Sequence, residues 1–181
     1  MNAGSLCFKQ EGIIMIKKLT SVIIILIFTS LCISACSEND EKLFRRFNFS
    51  LNFGYGLSVN CVDTYNDTFT KDLIRGTETI KFIIPEDKMR EIYETFLEYE
   101  IYDLPENISG GACIEPTYAY IFTYTYGKSK KTITCSDVDT SGYFSGKATS
   151  ENFVSFAHMI RDYIYDTEEY KNMSPVNGYY L

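Results

Sequence analysis

The first chemistry this chain offers is a set of oxygen-bearing side chains at alternate positions. Asp137-Val138-Asp139-Thr140-Ser141-Gly142 presents Asp137, Asp139 and Ser141 as oxygen donors, then a Gly for the sharp turn, as the start of a calcium loop does. Position twelve of such a loop calls for a bidentate Glu, and here it is Ala148. Half a motif reads first as an acidic turn and only second as a calcium site. Asp72, Glu115, Asp137 and Asp139 are the carboxylates that an acid–base mechanism would draw on. Two of them would have to face each other across a cleft, about 5 to 10 Å apart, to work as a glycosidase pair. His158 is the single histidine. It falls off the apolar face of its helix and is expected in solvent. With no Gly-x-Ser-x-Gly elbow and no Cys pair beside it, neither a Ser-His-Asp triad nor a usual zinc site assembles around it.

Tyr118, Tyr120, Phe122, Tyr124 and Tyr126 alternate with Ala119, Ile121, Thr123 and Thr125. Exposed, the tyrosines of that stripe would stack on sugars and hydrogen-bond their hydroxyls. Buried, the stripe is core, and each hydroxyl then needs a partner. The second reading is the plainer one. Thr70-Lys71-Asp72, with Asp63 and Asp67, reads as a solvated polar patch near a hairpin end.

Holding these side chains in place falls to a small set of elements. Phe47, Phe49, Leu51 and Phe53 alternate with Asn48, Ser50 and Asn52, the period of a half-buried strand. Gly54-Tyr55-Gly56 bends the chain, after which Leu57, Val59 and Cys61 resume the inward phase. Asn66-Asp67 turns into a strand over 68–74, and 79–84 forms another, stopped by Pro85. Pro85-Glu86-Asp87 opens a helix whose Met89, Ile92, Tyr93, Phe96 and Leu97 share a face. Residues 105–116 read as a loop, 117–126 as the clearest strand, and Gly127-Lys128-Ser129-Lys130 as its hairpin turn into 131–135. Residues 137–150 form a second loop. A last helix starts near Ser150 as N-cap, with Phe153, Phe156, Ala157, Ile160 and Ile164 inward. An irregular tail covers 170–181. Strands, helix, hairpin and helix in that order predict an α+β fold, an antiparallel sheet of about five strands with two helices packed on one face.

The beginning of the chain has a different task. Met15-Ile16-Lys17-Lys18 is a basic start, an uncharged apolar run follows from Leu19 to Ile33, and Ile33-Ser34-Ala35-Cys36 closes it. A basic n-region, an apolar h-region and small residues at a cleavage site make a secretory signal. The ending resembles the bacterial lipobox, whose Cys thiol receives a diacylglycerol before the chain is cut just ahead of it. Cys36 is therefore the expected lipidation site. The alternative is an uncleaved membrane anchor, since the run is near the lower length of a spanning helix, but that leaves the position of Cys36 unexplained. The expected organisation is an upstream extension (1–14), a lipoprotein signal peptide (15–35), a lipidated Cys with an acidic tether too polar to pack (36–43), and one α+β domain (44–181).

Taking residues 1–35 from the 181 leaves 146, enough for one domain with its own core. The net charge of −7 argues against nucleic acid and against adsorption to anionic lipid, so membrane attachment rests on acyl chains. With Cys36 lipidated, Cys61, Cys113 and Cys135 allow one disulfide at most. Cys113 with Cys135 is the pairing favoured, beside the alternative of none. The 15 Tyr and 13 Phe with no Trp suit a β-rich core.

Phe53-Gly54-Tyr55-Gly56, Thr70-Lys71-Asp72, Tyr102-Asp103-Leu104-Pro105, Glu169-Tyr170-Lys171 and Gly178-Tyr179-Tyr180-Leu181 together resemble a family of small bacterial lipoproteins of the low-GC Gram-positive type. That family has no assigned activity. The resemblance spans nearly all of the chain after Cys36 and implies localisation and fold class, with no functional residue. Cys113 and the Tyr-rich strand stand outside its pattern. The leading expectation is a lipid-anchored domain on the outer face of the cell envelope, a binding or structural module for a protein, peptide or glycan, without a cofactor. The competing expectations are a carboxylate-based enzyme on an envelope substrate and an inhibitor or immunity-type protein engaging its partner through loop 105–116.

Overall fold

The computed structural model describes residues 39–55, 60–109, 118–136 and 149–178. The chain divides after Arg45 into two units. In the first, residues 39–44 are helical (α1), where the sequence predicts a featureless tether. Glu41 and Arg45 lie one turn apart, carboxylate to guanidinium 3.0 Å, the spacing that supports an exposed helix.

The second unit is built on a seven-stranded sheet in the order β4-β3-β2-β1-β6-β7-β5. Its strands are β1 (Asn48–Tyr55), β2 (Asn60–Asp63), β3 (Thr68–Asp72), β4 (Thr77–Lys81), β5 (Asn107–Ser109), β6 (Tyr118–Tyr126) and β7 (Ser129–Ser136). All neighbours are antiparallel except β5 and β7. The sheet thus exceeds the expected five strands, and it is mixed. β1 to β4 form a meander, and β1 then pairs on its other side with β6. The register lines up Ile80, Phe69, Val62, Leu51, Phe122 and Ile133 in one row across six strands. Residues directly opposite share a face, so this row is the floor of the core.

Helices α2 (Glu86–Glu98) and α3 (Thr149–Asp166) bring their apolar stripes to that floor. The Phe96 ring lies 6.4 Å from Phe122 and 4.9 Å from Tyr124, centroid to centroid, and Phe156 lies 5.1 Å from Phe122. Phe153, Phe156, Ala157, Ile160 and Ile164 are all fully buried, as their spacing predicts. Ser150 lies within α3, which already includes Thr149, and is not its N-cap.

Four further expectations are corrected. In β2 the inward residue is Val62, opposite Leu51, while Cys61 pairs with Asn52 on the other face and donates to its Oδ1 at 3.3 Å. Two adjacent apolar residues left the phase ambiguous, and the register with β1 decides it. Loop 105–116 contains β5, which pairs in parallel with β7 and buries Ile108 against the edge. The tail is not irregular throughout. It begins with α4 (Glu168–Lys171), capped by the Thr167 hydroxyl, and buries Met173. It then closes on the β3–β4 turn: Asn177 N donates to Leu73 O at 3.2 Å, Asn177 Oδ1 accepts from Arg75 N at 3.0 Å, and Ser174 N donates to Glu78 Oε2 at 2.8 Å. That turn holds Ile74 at φ 69°, a strained setting for a β-branched residue, with Asp72 Oδ1 accepting its N–H at 2.7 Å. Finally, Lys71 and Asp72 are buried rather than solvated, at 7% and 6% exposure.

Candidate functional site at the tyrosine end of the sheet

Alternation along β6 puts Tyr118, Tyr120, Phe122, Tyr124 and Tyr126 on the helix-covered face. Helix cover is uneven along that stripe. Tyr120, Phe122 and Tyr124 are buried, and Tyr118 and Tyr126 are half-buried. At the hairpin end the Tyr124 hydroxyl donates to Tyr102 O at 3.2 Å, and Tyr126 stacks on Tyr102 with centroids 5.8 Å apart. Burial, then the Asp103 charge, pushes the Tyr124 phenol up to about 12. At this end a backbone carbonyl holds the buried Tyr124 hydroxyl, while Tyr126 stays half-buried and Tyr102 exposed.

At the opposite end the contacts among the described residues run between side chains. There β1 ends at Tyr55 and β6 begins at Tyr118, directly opposite in register with rings edge to face at 4.8 Å. The last turns of α3 pass beside them. His158, Arg161 and Tyr165 recur three and four residues apart, so they form a ridge next to the core stripe. Arg161 Nη1 lies 3.5 Å from the Tyr120 hydroxyl. Tyr118 packs on Tyr120 with ring centroids 5.1 Å apart, and its phenol feels the Arg161 charge. Asp162 Oδ1 accepts from Arg161 Nε at 2.8 Å and sits 2.7 Å from Nη2. The His158 ring meets the Tyr120 ring at 5.7 Å.

The run of phenols continues across the sheet. Tyr165 rests on Phe53 at 6.0 Å and Tyr170 of α4 on Phe69 at 5.8 Å. The two rings lie 4.6 Å apart, centroid to centroid. The Lys71 ammonium stands over the Tyr170 ring, 4.5 Å from its centroid.

Burial is the first cause that raises the pKa of each of these phenols. For Tyr118 the Arg161 charge pulls partly back, and for Tyr120 and Tyr165 the charge of Tyr118 adds to the rise. Tyr170 is raised as well. All four therefore stay protonated across physiological pH, acting as hydrogen-bond donors and acceptors rather than as bases or nucleophiles. His158 moves the other way. Burial, then the Arg161 charge, lowers its pKa, so it is neutral near pH 7. The expectation of a solvent-exposed His158 is thus corrected to a half-buried one.

The structure divides the other sequence candidates. Of the four stripe tyrosines, Tyr118 and Tyr120 join this cluster, while Tyr124 and Tyr126 belong to the hairpin end. Cys61 and Cys135 are free thiols, each pushed up to about 11 by burial. Cys36, Cys113, Glu115, Asp137, Asp139 and Ser141 lie outside the described residues, and with them the lipidation and calcium expectations; Cys135, expected to pair with Cys113, carries a free thiol. Among the described residues, no group of three or more His, Cys, Asp or Glu is placed to hold a metal ion. Nor is any helix among them long and apolar enough to cross a membrane. Arg161, Tyr165 and Tyr170 escaped the sequence reading. The spacing of Arg161 and Tyr165 from His158 was the available signal, and Tyr170 had none, because it sits in the stretch taken as tail. No protein-family model matches the chain, and no curated protein matches it.

Proposed function

We propose that this chain is an exported lipoprotein, tethered through Cys36 to the outer face of the membrane, whose folded domain binds a ligand rather than turning one over. The lipobox-like Ile33-Ser34-Ala35-Cys36 and the basic-apolar run before it support the anchor. The likeness to small bacterial lipoproteins points the same way. The observation that carries the binding function is the cluster of Tyr118, Tyr120, Tyr165 and Tyr170 with Arg161, in which Tyr118, Tyr165 and Tyr170 are half-buried.

Phenols kept protonated, flanked by cations and standing on an aromatic floor, offer ring faces and hydroxyl donors. That combination suits a glycan or a peptide and supplies no acid–base pair. The two arms of the proposal are tested separately. Labelling with a radiolabelled fatty acid should mark the wild-type protein and not Cys36→Ala, and equal labelling refutes the anchor. Since the chain lacks Trp, its intrinsic emission reports on tyrosine. Titration of full-length protein in detergent with N-acetylhexosamine oligomers and with short peptides should change that emission saturably, and less so in Tyr118→Ala. A flat response to both probes removes the binding function.

A further inference from the structure

The side chain that the fold leaves least accounted for is Lys71. It lies on the core-facing side of β3 at 7% exposure. A lysine this buried normally has a carboxylate or several acceptors around its ammonium. The polar groups nearest to it in the sheet make other bonds. Glu78, its direct partner across β4, accepts the Ser174 N–H through Oε2 at 2.8 Å, and no ion pair joins it to Lys71. Asn60, on the neighbouring strand, spends Oδ1 on Asp72 N at 3.1 Å and Nδ2 on Phe53 O at 3.3 Å. Asp72 follows in sequence, and alternation turns its side chain to the opposite face, where Oδ1 takes the Ile74 N–H. Among the described residues, the one partner of the ammonium is the face of Tyr170. A cation–π contact attracts the charge but supplies no hydrogen-bond acceptor.

A second phenol lies against Tyr170: the Tyr165 ring is 4.6 Å from it, centroid to centroid. Lys71, Tyr170 and Tyr165 thus stand side by side, a cation beside two phenols, and Arg161 stands at Tyr120. Asp162 compensates the Arg161 charge. Among the described residues, no carboxylate oxygen lies within 4.0 Å of the Lys71 ammonium.

We propose that this cluster is an oxyanion site: the ligand carries a carboxylate or phosphate whose oxygens accept from the Lys71 ammonium and from the Tyr165 and Tyr170 hydroxyls. The inference rests on this end of the sheet being the binding site and adds the chemical class of what binds. It also accounts for a buried cation in a chain of net charge −7, because the counter-charge arrives with the ligand.

The test uses full-length protein in detergent and two probes, sodium phosphate and sodium acetate, each matched with chloride to constant ionic strength. Thermal melting should shift upward saturably with at least one probe, and the probe that acts identifies the oxyanion. Lys71→Met keeps the length of the side chain and removes its charge. It should weaken the apparent affinity by about tenfold or more, while Lys71→Arg retains most of it. No shift with either probe in the wild type overturns the proposal whatever the variants do, and so does a Lys71→Met response equal to the wild type's. Equilibrium dialysis of wild-type protein against phosphate and against acetate gives a second reading that depends on no variant. Saturable response to neutral oligosaccharide with no response to either anion would leave the binding function standing and refute the oxyanion site alone.

Discussion

The two ends of β6 put the same side chain to different uses. At one end Tyr124 closes on a backbone carbonyl, that of Tyr102 in the 3-10 turn Ile101–Asp103, which also receives a bond from Lys131 Nζ at 3.4 Å. At the other, the Tyr120 hydroxyl accepts from a side chain, Arg161, with Tyr118 packed beside it. A hydroxyl bonded to backbone is fixed with the fold. One bonded to a side chain can exchange that partner for a ligand at the cost of a rotamer change. An aromatic strand can thus be architecture and recognition surface at once, depending on what each hydroxyl meets.

The contrast is most sharply tested in the middle of the strand. Phe122→Ala should destabilise by about 3–5 kcal/mol, because Phe122 is fully buried under Phe96, Phe153 and Phe156. Tyr118→Ala, at the Arg161 end, should cost about 1 kcal/mol. Chemical denaturation of both variants checks the difference, and equal losses would mean the Arg161 end is core. Tyr124→Phe should cost about 1 kcal/mol through the lost hydrogen bond. Tyr118→Phe should cost less in stability and more in ligand response, the reverse of Tyr124→Phe.

His158 provides a pH test of the Arg161 end. Its folded pKa lies below the ordinary 6.5, so the folded state disfavours the imidazolium. Its contribution to stability is intact above pH 6.5 and is lost as pH falls through the folded pKa, where the unfolded chain binds the proton first. Subtracting the melting curve of His158→Gln from that of the wild type should leave a loss on acidification. A flat difference would place His158 in open solvent. The smallest expected effect is at the thiols. With pKa values pushed up to about 11, Cys61 and Cys135 hold little thiolate at neutral pH. Both should alkylate slowly in the native protein, half-buried Cys61 ahead of buried Cys135, as followed by peptide mass spectrometry.

What could be read in the sequence were the elements long enough to show a period. β1, β6, α2 and α3 each repeat their apolar positions over two or more turns or pleats; β1 and α3 bury every residue that pattern selects, while Met89 and Leu97 of α2 and Tyr118 and Tyr126 of β6 are half-buried. β5 has three residues and one buried apolar side chain, Ile108, so no period exists to be read, and its parallel pairing with β7 depends on a segment far along the chain. Lys71 misled for a related reason. Between Thr70 and Asp72 a lysine looks solvated, and only the register that sets it over the helix-covered face, beneath Tyr170, reveals its burial. The stripe of β6 was legible as a stripe. Where helix cover stops along it depends on how α3 crosses the sheet, which no local pattern carries.

The position of β1 has a consequence in time. Its first partner, β2, follows within a few residues, but its second, β6, is among the last strands to be made. As the chain emerges, the β1–β4 meander can assemble while the far side of β1 still presents unpaired N–H and C=O groups beside Phe49, Leu51 and Phe53. Such an edge is a template for a wrong strand, including the same segment of a neighbouring chain. The interval between synthesis of Tyr55 and of Tyr118 is therefore when this protein most needs to be kept apart from its copies.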